Sequence, residues 1–157
     1  MFIALYTAFL VRLDDAYAGD IKGLNSFNER FVNGQKQADE GLDGFDRFLR
    51  ETSLHYHGIP ANVILTASLN YVTSIILEYE TQEMMVSLCW MDGWFRLVSL
   101  MFIISQVSPK AKSYTNFLRI LSGVGEGYTM FIFPPEVPVK SYVQAVPDLC
   151  LFINHFK

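Results

Sequence analysis

The sequence predicts an all-α fold, and three observations carry that expectation. Apolar residues recur at intervals of three and four through most of the chain, the period of a helix face. Alternation of apolar and polar residues, the mark of a half-buried strand, is nowhere sustained, and no internal repeat divides the chain. Gly and Pro fall mostly between the periodic stretches. A length of 157 residues leaves room for a single domain.

The first apolar run, FIALYTAFLVRL, predicts a helix over 3–14 that stops at the carboxylates Asp14 and Asp15. Ile21, Leu24, Phe27 and Phe31 predict a second helix over 20–34, ended by Gly34 after Asn33. Leu42, Phe45, Phe48 and Leu49, with charged residues opposite, predict a third over 39–56. Gly58 and Pro60 break it, and Pro60 suits the first turn of the next helix. Residues 61–80 (ANVILTASLNYVTSIILEYE) are apolar nearly all round and read as a central buried helix. After Ser108-Pro109, the residues Phe117, Leu118 and Leu121 place an amphipathic helix over 110–121. The stretch Ser122-Gly123-Val124-Gly125-Glu126-Gly127 interrupts the pattern before an aromatic and aliphatic segment at 128–133. Pro134, Pro135 and Pro138 form a stiff loop, and 139–156 resumes helical spacing through Tyr142, Val146, Leu149, Leu151 and Phe152. Pro147 inside that segment predicts a kink or a late start.

Composition narrows the function classes. Half of the chain is apolar (51%), 15% is aromatic and only 18% is charged, which excludes a disordered tail. A net charge of −4 leaves no basic stripe for phosphates, so no nucleic-acid partner is expected. Cys89 and Cys150 make no disulfide framework, and a reducing, cytoplasmic compartment is expected. The run 2–11 resembles the apolar part of a signal peptide, with Ala16-Tyr17-Ala18 as a small-x-small site. No Lys or Arg precedes that run, however, and Arg12, Asp14 and Asp15 intervene. It is also too short to cross a bilayer, and the longer run 86–104 contains Asp92 and Arg96, so no integral membrane span is expected. A membrane-associated helical protein is the alternative left open by a mean hydropathy of +0.23.

The strongest candidate for chemistry is Asp14-Asp15. Adjacent carboxylates at the end of an apolar helix repel each other and meet the negative end of its dipole. A hard divalent cation would compensate, and Mg2+ takes one or two carboxylates together with water and phosphate oxygens. A solvated acidic turn is the alternative. His55 and His57 have no third ligand near in sequence and read as surface histidines. Cys89, beside Trp90 and Met91, has no paired base and reads as a buried, inert thiol. The glycines of 123–127 follow no strand and lack the Lys-Ser/Thr of a phosphate loop, so a helix break or a close backbone approach is expected. His55, His57 and His155, without a nucleophile elbow, support no Ser/His/Asp arrangement, and no catalytic side chain is assigned.

Three stretches taken together resemble one family. FIALYTAFLVRLDD (2–15) resembles the metal-binding helix of fungal class I terpene cyclases, and SLNYVTSIILEYE (68–80) resembles a later helix of the trichodiene synthase family. YTNFLRILSGVGEGYTMFIFPPE (114–136) and SYVQAVPDLCLFIN (141–154) resemble the helices ahead of that family's second metal motif. The resemblance implies that 1–157 is a partial class I terpenoid synthase helical bundle, with antiparallel helices around an apolar pocket. In that family Mg2+ draws charge from an isoprenyl diphosphate, usually farnesyl diphosphate, which ionises and cyclises. Aromatic faces in the pocket stabilise the carbocations. The resemblance further implies Asp14 as the principal Mg2+ ligand, with Asp15 in direct or supporting contact. It also implies that backbone carbonyls at the 122–127 break face the carbocation.

The sequence departs from the family at definite places. The acidic motif usually has another carboxylate three positions after the pair, where this chain has Ala18, and Asp20 lies two residues on. The second metal motif, Asn/Asp-Asp-x-x-Ser/Thr-x-x-x-Glu, would follow Phe152-Ile153-Asn154, where the chain has His155-Phe156-Lys157. The Arg-Tyr pair that grips diphosphate lies further downstream in the family, and Thr73 stands where it has a diphosphate-sensing Arg. Asn70, Ser74 and Glu78 mimic the second motif's spacing on one helix face, but Tyr71 replaces its Asp, and packing of a central helix is the alternative. The expectation is a truncated or mis-spliced sesquiterpene synthase, inactive as this chain. The alternative is a non-catalytic helical remnant serving as an interaction or oligomerisation domain. Uncovered apolar faces would favour a homo-oligomer.

Residues 86–106 (VSLCWMDGWFRLVSLMFIISQ) match nothing in the family and read as an insertion. Starting with Val and ending with Gln, they fit translation of a retained intron. Transcript sequencing checks this: a spliced message without the codons for 86–106 is expected, and a mature message that keeps them ends the idea.

Overall fold

In the computed structural model the described residues are 1–17, 19–86 and 112–155, so Cys89 and nearly all of the expected insertion at 86–106 lie outside them. All regular elements among the described residues are helical, as the apolar spacing requires. In chain order they are α1 (Phe2–Tyr17), a 3-10 turn (Leu24–Ser26), α2 (Phe27–Asn33), α3 (Glu40–Arg50) and α4 (Thr52–His55). Then follow α5 (Ile59–Val86), α6 (Lys112–Leu121), α7 (Val124–Ile132), a second 3-10 turn (Val139–Ser141) and α8 (Val146–His155).

Some boundaries differ from those the sequence predicts, and among them the expected 39–56 helix divides at Glu51 into α3 and α4. α1 continues through Asp14 and Asp15 to Tyr17, because Tyr17 is one turn past buried Leu13 and extends the core-facing stripe. The expected 20–34 helix divides at Ser26, and Ile21 and Leu24 bury together across a tight 3-10 turn. Of the two outcomes predicted from Pro147, the late start is the one found: α8 begins at Val146 with Pro147 in its first turn, where a missing N–H costs nothing. Gly34 closes α2 in the left-handed conformation (φ 64°), as predicted. Asp39 starts α3 by accepting from the amides of Gly41 (2.8 Å) and Leu42 (3.0 Å).

α5 runs through the centre and packs on α1, α2, α4, α6 and α7, while α8 packs on α7. Tyr6 meets Ser68 and, one turn on, Leu10 meets Tyr71, so α1 and α5 run in the same direction. α6 runs back along α5, from the Tyr114–Thr81 hydroxyl pair (2.8 Å) to Gly123 against Ala67. The bundle is therefore not antiparallel throughout: α2 to α4 return the chain before α5 begins. α5 over Ile59–Thr81 is long and apolar enough to cross a membrane, and half of that stretch is buried inside the protein.

The inner face of α1 is a stripe of aromatics at helical spacing. Phe2 stacks on Phe48 with ring centres 4.4 Å apart, Tyr6 meets Phe131 edge-on at 5.0 Å, and Phe9 lies 5.5 Å from Phe45. Phe27 and Phe45, both fully buried, join α2 to α3, and each burial contributes about 2–3 kcal/mol. A charged latch reinforces that corner. Arg50 reaches the Phe31 carbonyl (2.5 Å), covers the Phe31 ring (4.4 Å) and pairs with Asp46, which also accepts from Gln37 (2.8 Å). On the outside, Phe117 and Ile120 of α6 and Leu151 and Phe152 of α8 are exposed.

The predicted break at 122–127 narrows to one residue. Gly123 sits at φ 63°, and a Cβ there would lie 2.7 Å from the Ala67 Cα and 2.9 Å from its carbonyl oxygen. Both conformation and space therefore demand glycine. Gly123→Ala is expected to lower unfolding stability by at least about 2 kcal/mol, read by urea denaturation, because α5 backbone cannot yield as a side chain would.

Candidate functional site

Asp14 and Asp15 occupy the last turn of α1 and are both exposed, but successive helix residues diverge by about 100° and so face different neighbours. Asp15 faces a shallow groove of about 660 Å³ along the outer side of α1, lined by Ala4, Thr7, Ala8, Val11, Arg12 and Ala16. Asp14 lies toward α5, where the Tyr71 hydroxyl donates to the Leu10 carbonyl (3.2 Å), one turn before Asp14 on α1. Burial pushes the Tyr71 phenol well above its ordinary value, and the charges of Asp14 and Glu78 push the same way, so it stays a donor.

The end of α1 is tied down on its other flank as well. Tyr17 donates to the Asp39 carboxylate, and the Arg12 guanidinium lies over Gly41, within 2.9 Å of where a Cβ would be. Further down, Tyr128 of α7 lies 2.6 Å from the Thr7 hydroxyl, which donates to the Ile3 carbonyl, so Tyr128 supplies the second proton. Burial raises the Tyr6 phenol to about 12, against a lowering by the Ser68 hydroxyl 3.2 Å away.

The two aspartates fit one Mg2+ in donor chemistry, as exposed hard oxygens that leave positions for water and phosphate. Among the described residues, no three His, Cys, Asp or Glu side chains gather at a common point. The Asn70, Ser74 and Glu78 set does not act together. Asn70 lines a cleft of about 530 Å³ between α5 and α6, buried Ser74 donates to the Tyr71 carbonyl (2.8 Å), and exposed Glu78 acts on the Tyr71 phenol. Thr73 faces α2, accepting from Asn28 (3.1 Å). His55 stacks near Phe2 at 4.8 Å, and His57 is exposed. Burial pushes the Cys150 thiol up, consistent with a protonated, unreactive sulfur.

The glycines of 123–127 serve helix approach. Gly123 meets Ala67 of α5, Gly125 lies under the Asn154 side chain of α8, and Gly127 faces the Tyr6 hydroxyl of α1. The Gly125 carbonyl accepts from Thr129 (2.7 Å). Nor do the aromatics of α1 line an open cavity: they fill the core, and the α5–α6 cleft has Phe117 as its aromatic wall. Tyr71, which in the sequence draws notice only as the residue standing where the second motif would have its Asp, is an α5 phenol on which the Asp14 charge acts.

Comparison with known proteins follows the same line. The chain is 32% identical over 154 residues to alpha-cuprenene synthase COP6 of Coprinopsis cinerea, covering 98% of this chain and 41% of that protein. It is 30% identical to terpene synthase BipA of Cochliobolus sativus, covering 98% of this chain and 42% of that one. Longiborneol synthase CLM1 of Gibberella zeae is 29% identical, with 99% and 42% covered. No family model matches the chain. Its homologues are thus fungal terpene synthases, and the chain spans about two-fifths of the length of the curated relatives it matches.

The Asp39 clamp has a pH signature. Burial alone would raise its carboxyl, but the Tyr17 hydroxyl, the Leu42 and Gly41 amides and the Arg12 charge together hold it below the ordinary 3.8. A depressed folded-state value means the stabilisation is present above 3.8 and is lost as pH falls through the lower folded value. Acid titration of unfolding stability is expected to fall less steeply below that point in Asp39→Asn than in the parent chain.

Proposed function

We propose that this chain is part of a class I sesquiterpene synthase of the trichodiene synthase type, in which Asp14, with Asp15, holds Mg2+ for an isoprenyl diphosphate such as farnesyl diphosphate. The observation that carries the reading is the exposed carboxylate pair closing α1, with Asp15 at one end of a largely apolar groove. The names of the relatives, terpene synthases in every case cited, support the substrate class.

The residues divide the work by chemistry. Asp14 and Asp15 would bind the cation, which when bound draws negative charge from the diphosphate and makes it a better leaving group. Ala4, Ala8 and Val11 lead away from the carboxylates as a strip of small apolar side chains spanning about 16 Å of helix from Ala4 to Asp15. A prenyl tail laid on that strip would keep its head group at the aspartates and its chain away from water. Tyr128 and Tyr6 hold the floor of α1 against α7, so the strip and the aspartates move as one rigid element.

Residues 1–157 alone are proposed not to turn over, since the second acidic set needed to complete the cation site is not among them. The exposed Phe117, Ile120, Leu151 and Phe152 favour, as second reading, a helical interaction or oligomerisation domain. Calorimetry of the 157-residue chain with farnesyl diphosphate separates the two. Binding that needs Mg2+ and weakens at least about tenfold in Asp14→Asn is expected, with no hydrocarbon formed. Binding indifferent to Mg2+ and to Asp14, or no binding, overturns the metal reading in favour of the second. A hydrocarbon product abolished by Asp14→Ala overturns the inactivity alone.

A further inference from the structure

The cleft between α5 and α6 is separate from the α1 aspartates. Ser68 and Tyr71, through which α5 meets α1, lie on another side of α5 from Thr66 and Asn70, which line the cleft. Its volume of about 530 Å³ is that of a small-molecule pocket. Phe117 and Ile120 of α6 form an apolar wall and are more than half exposed, so the mouth is open. Asn62, Thr66 and Asn70 run up the facing wall one turn apart, over about 12 Å of helix. Glu126, in the first turn of α7, is the one charged side chain among the described residues that line the cleft. Its carboxylate is uncompensated. Among the described residues no donor reaches Oε2, which packing closes to solvent, and no cation pairs with the group. The α7 dipole favours negative charge in that turn but gives Oε2 no hydrogen bond. A partly buried charge without a partner is costly, and the cleft is the side from which a partner can arrive.

We propose that the α5–α6 cleft binds a primary alkylammonium ion, its head paired with Glu126 and its chain laid against Phe117 and Ile120. The sign of the ligand follows from a lining with one negative charge and no positive one. A metal ion suits the site poorly, since a hard divalent cation wants several oxygens and no second acidic side chain joins Glu126. An ammonium brings three donors. One meets the carboxylate as a charge-assisted hydrogen bond, and the others suit the Thr66 hydroxyl and the Asn70 amide oxygen on the α5 wall. The apolar wall then takes the chain out of water. This site owes nothing to Asp14 or to Mg2+, so it stands or falls apart from the proposed function.

The test is a titration of the 157-residue chain with hexylammonium, butylammonium and hexanol, followed by backbone amide resonances, with sedimentation to read the oligomeric state. Saturable shifts centred on Asn70, Phe117 and Glu126 are expected, and each methylene from butyl to hexyl should tighten binding about fourfold. Hexanol, which keeps the chain and loses the charge, should bind at least about tenfold more weakly than hexylammonium. Glu126→Gln keeps the side chain's size and should bind hexylammonium no better than hexanol, with circular dichroism to establish that it is folded. Asp14→Asn should bind hexylammonium like the parent. The absence of saturable shifts at the cleft overturns the proposal. So does equal affinity for hexanol and hexylammonium, or unchanged binding in Glu126→Gln. A loss in Asp14→Asn that Glu126→Gln does not share places the amine at the α1 carboxylates and overturns the site. A parent dimer that Glu126→Gln dissociates makes the occupant a lysine of a second copy and overturns the small-molecule ligand. Should Glu126→Gln not fold, the contrast between hexylammonium and hexanol at the cleft resonances of the parent decides.

Discussion

The close approach of Gly123 to Ala67 is the constraint on which the arrangement depends. A left-handed residue there lets the chain turn from α6 into α7 with its backbone against the backbone of α5. Because that contact leaves no room for a Cβ, it fixes the register of α5 against α7. The same run of glycines brings α8 in through Asn154 and α1 in through Tyr6. Tyr71 lies one turn beyond Ala67 on the same face of α5, so the height at which its hydroxyl meets α1 follows from that contact.

α1 has two faces with separate tasks. Phe2, Tyr6, Phe9, Leu10 and Leu13 point inward and are consumed by packing, in ring contacts with α3 and α7 and in the shared core. Ala4, Ala8, Val11 and Asp15 point outward and are small enough to leave space beside the helix. The aromatic content that first draws attention in the sequence therefore supports the scaffold, and the surface next to the carboxylates is built from small residues. Asp14 stands at the seam between the faces, where its charge acts on the Tyr71 phenol of α5, while Asp15 faces the groove.

Most of the fold was legible in the sequence because helices announce themselves by spacing. α1, α3, α5 and α6 fall where Tyr6, Leu10, Phe45, Phe48, Ile64 and Leu121 recur at three and four, and Gly34, Pro60 and Pro147 mark ends or starts as expected. Spacing alone could not show that Ile21 and Leu24 close a 3-10 turn, since an i to i+3 step suits both geometries. Nor could it divide Asn70, Ser74 and Glu78 among three surroundings, because the neighbours that separate them come from α1 and α6, distant in sequence. The glycines at 123–127 were recognisable as a break or a close approach, but which helices approach is a tertiary fact. The proposed site was legible as a carboxylate pair, while the Tyr71 phenol beside it depends on how α5 packs on α1.

Paramagnetic broadening of backbone amide resonances by substoichiometric Mn2+ addresses the central claim most directly: that a divalent cation is bound where α1 ends against α5. The account predicts selective loss of the amide signals of Asp14 and Asp15, with Phe131, packed on Phe2 and Tyr6 toward the other end of α1, least affected. Broadening centred on His55 and His57, or spread evenly over the surface acidic residues, would contradict it.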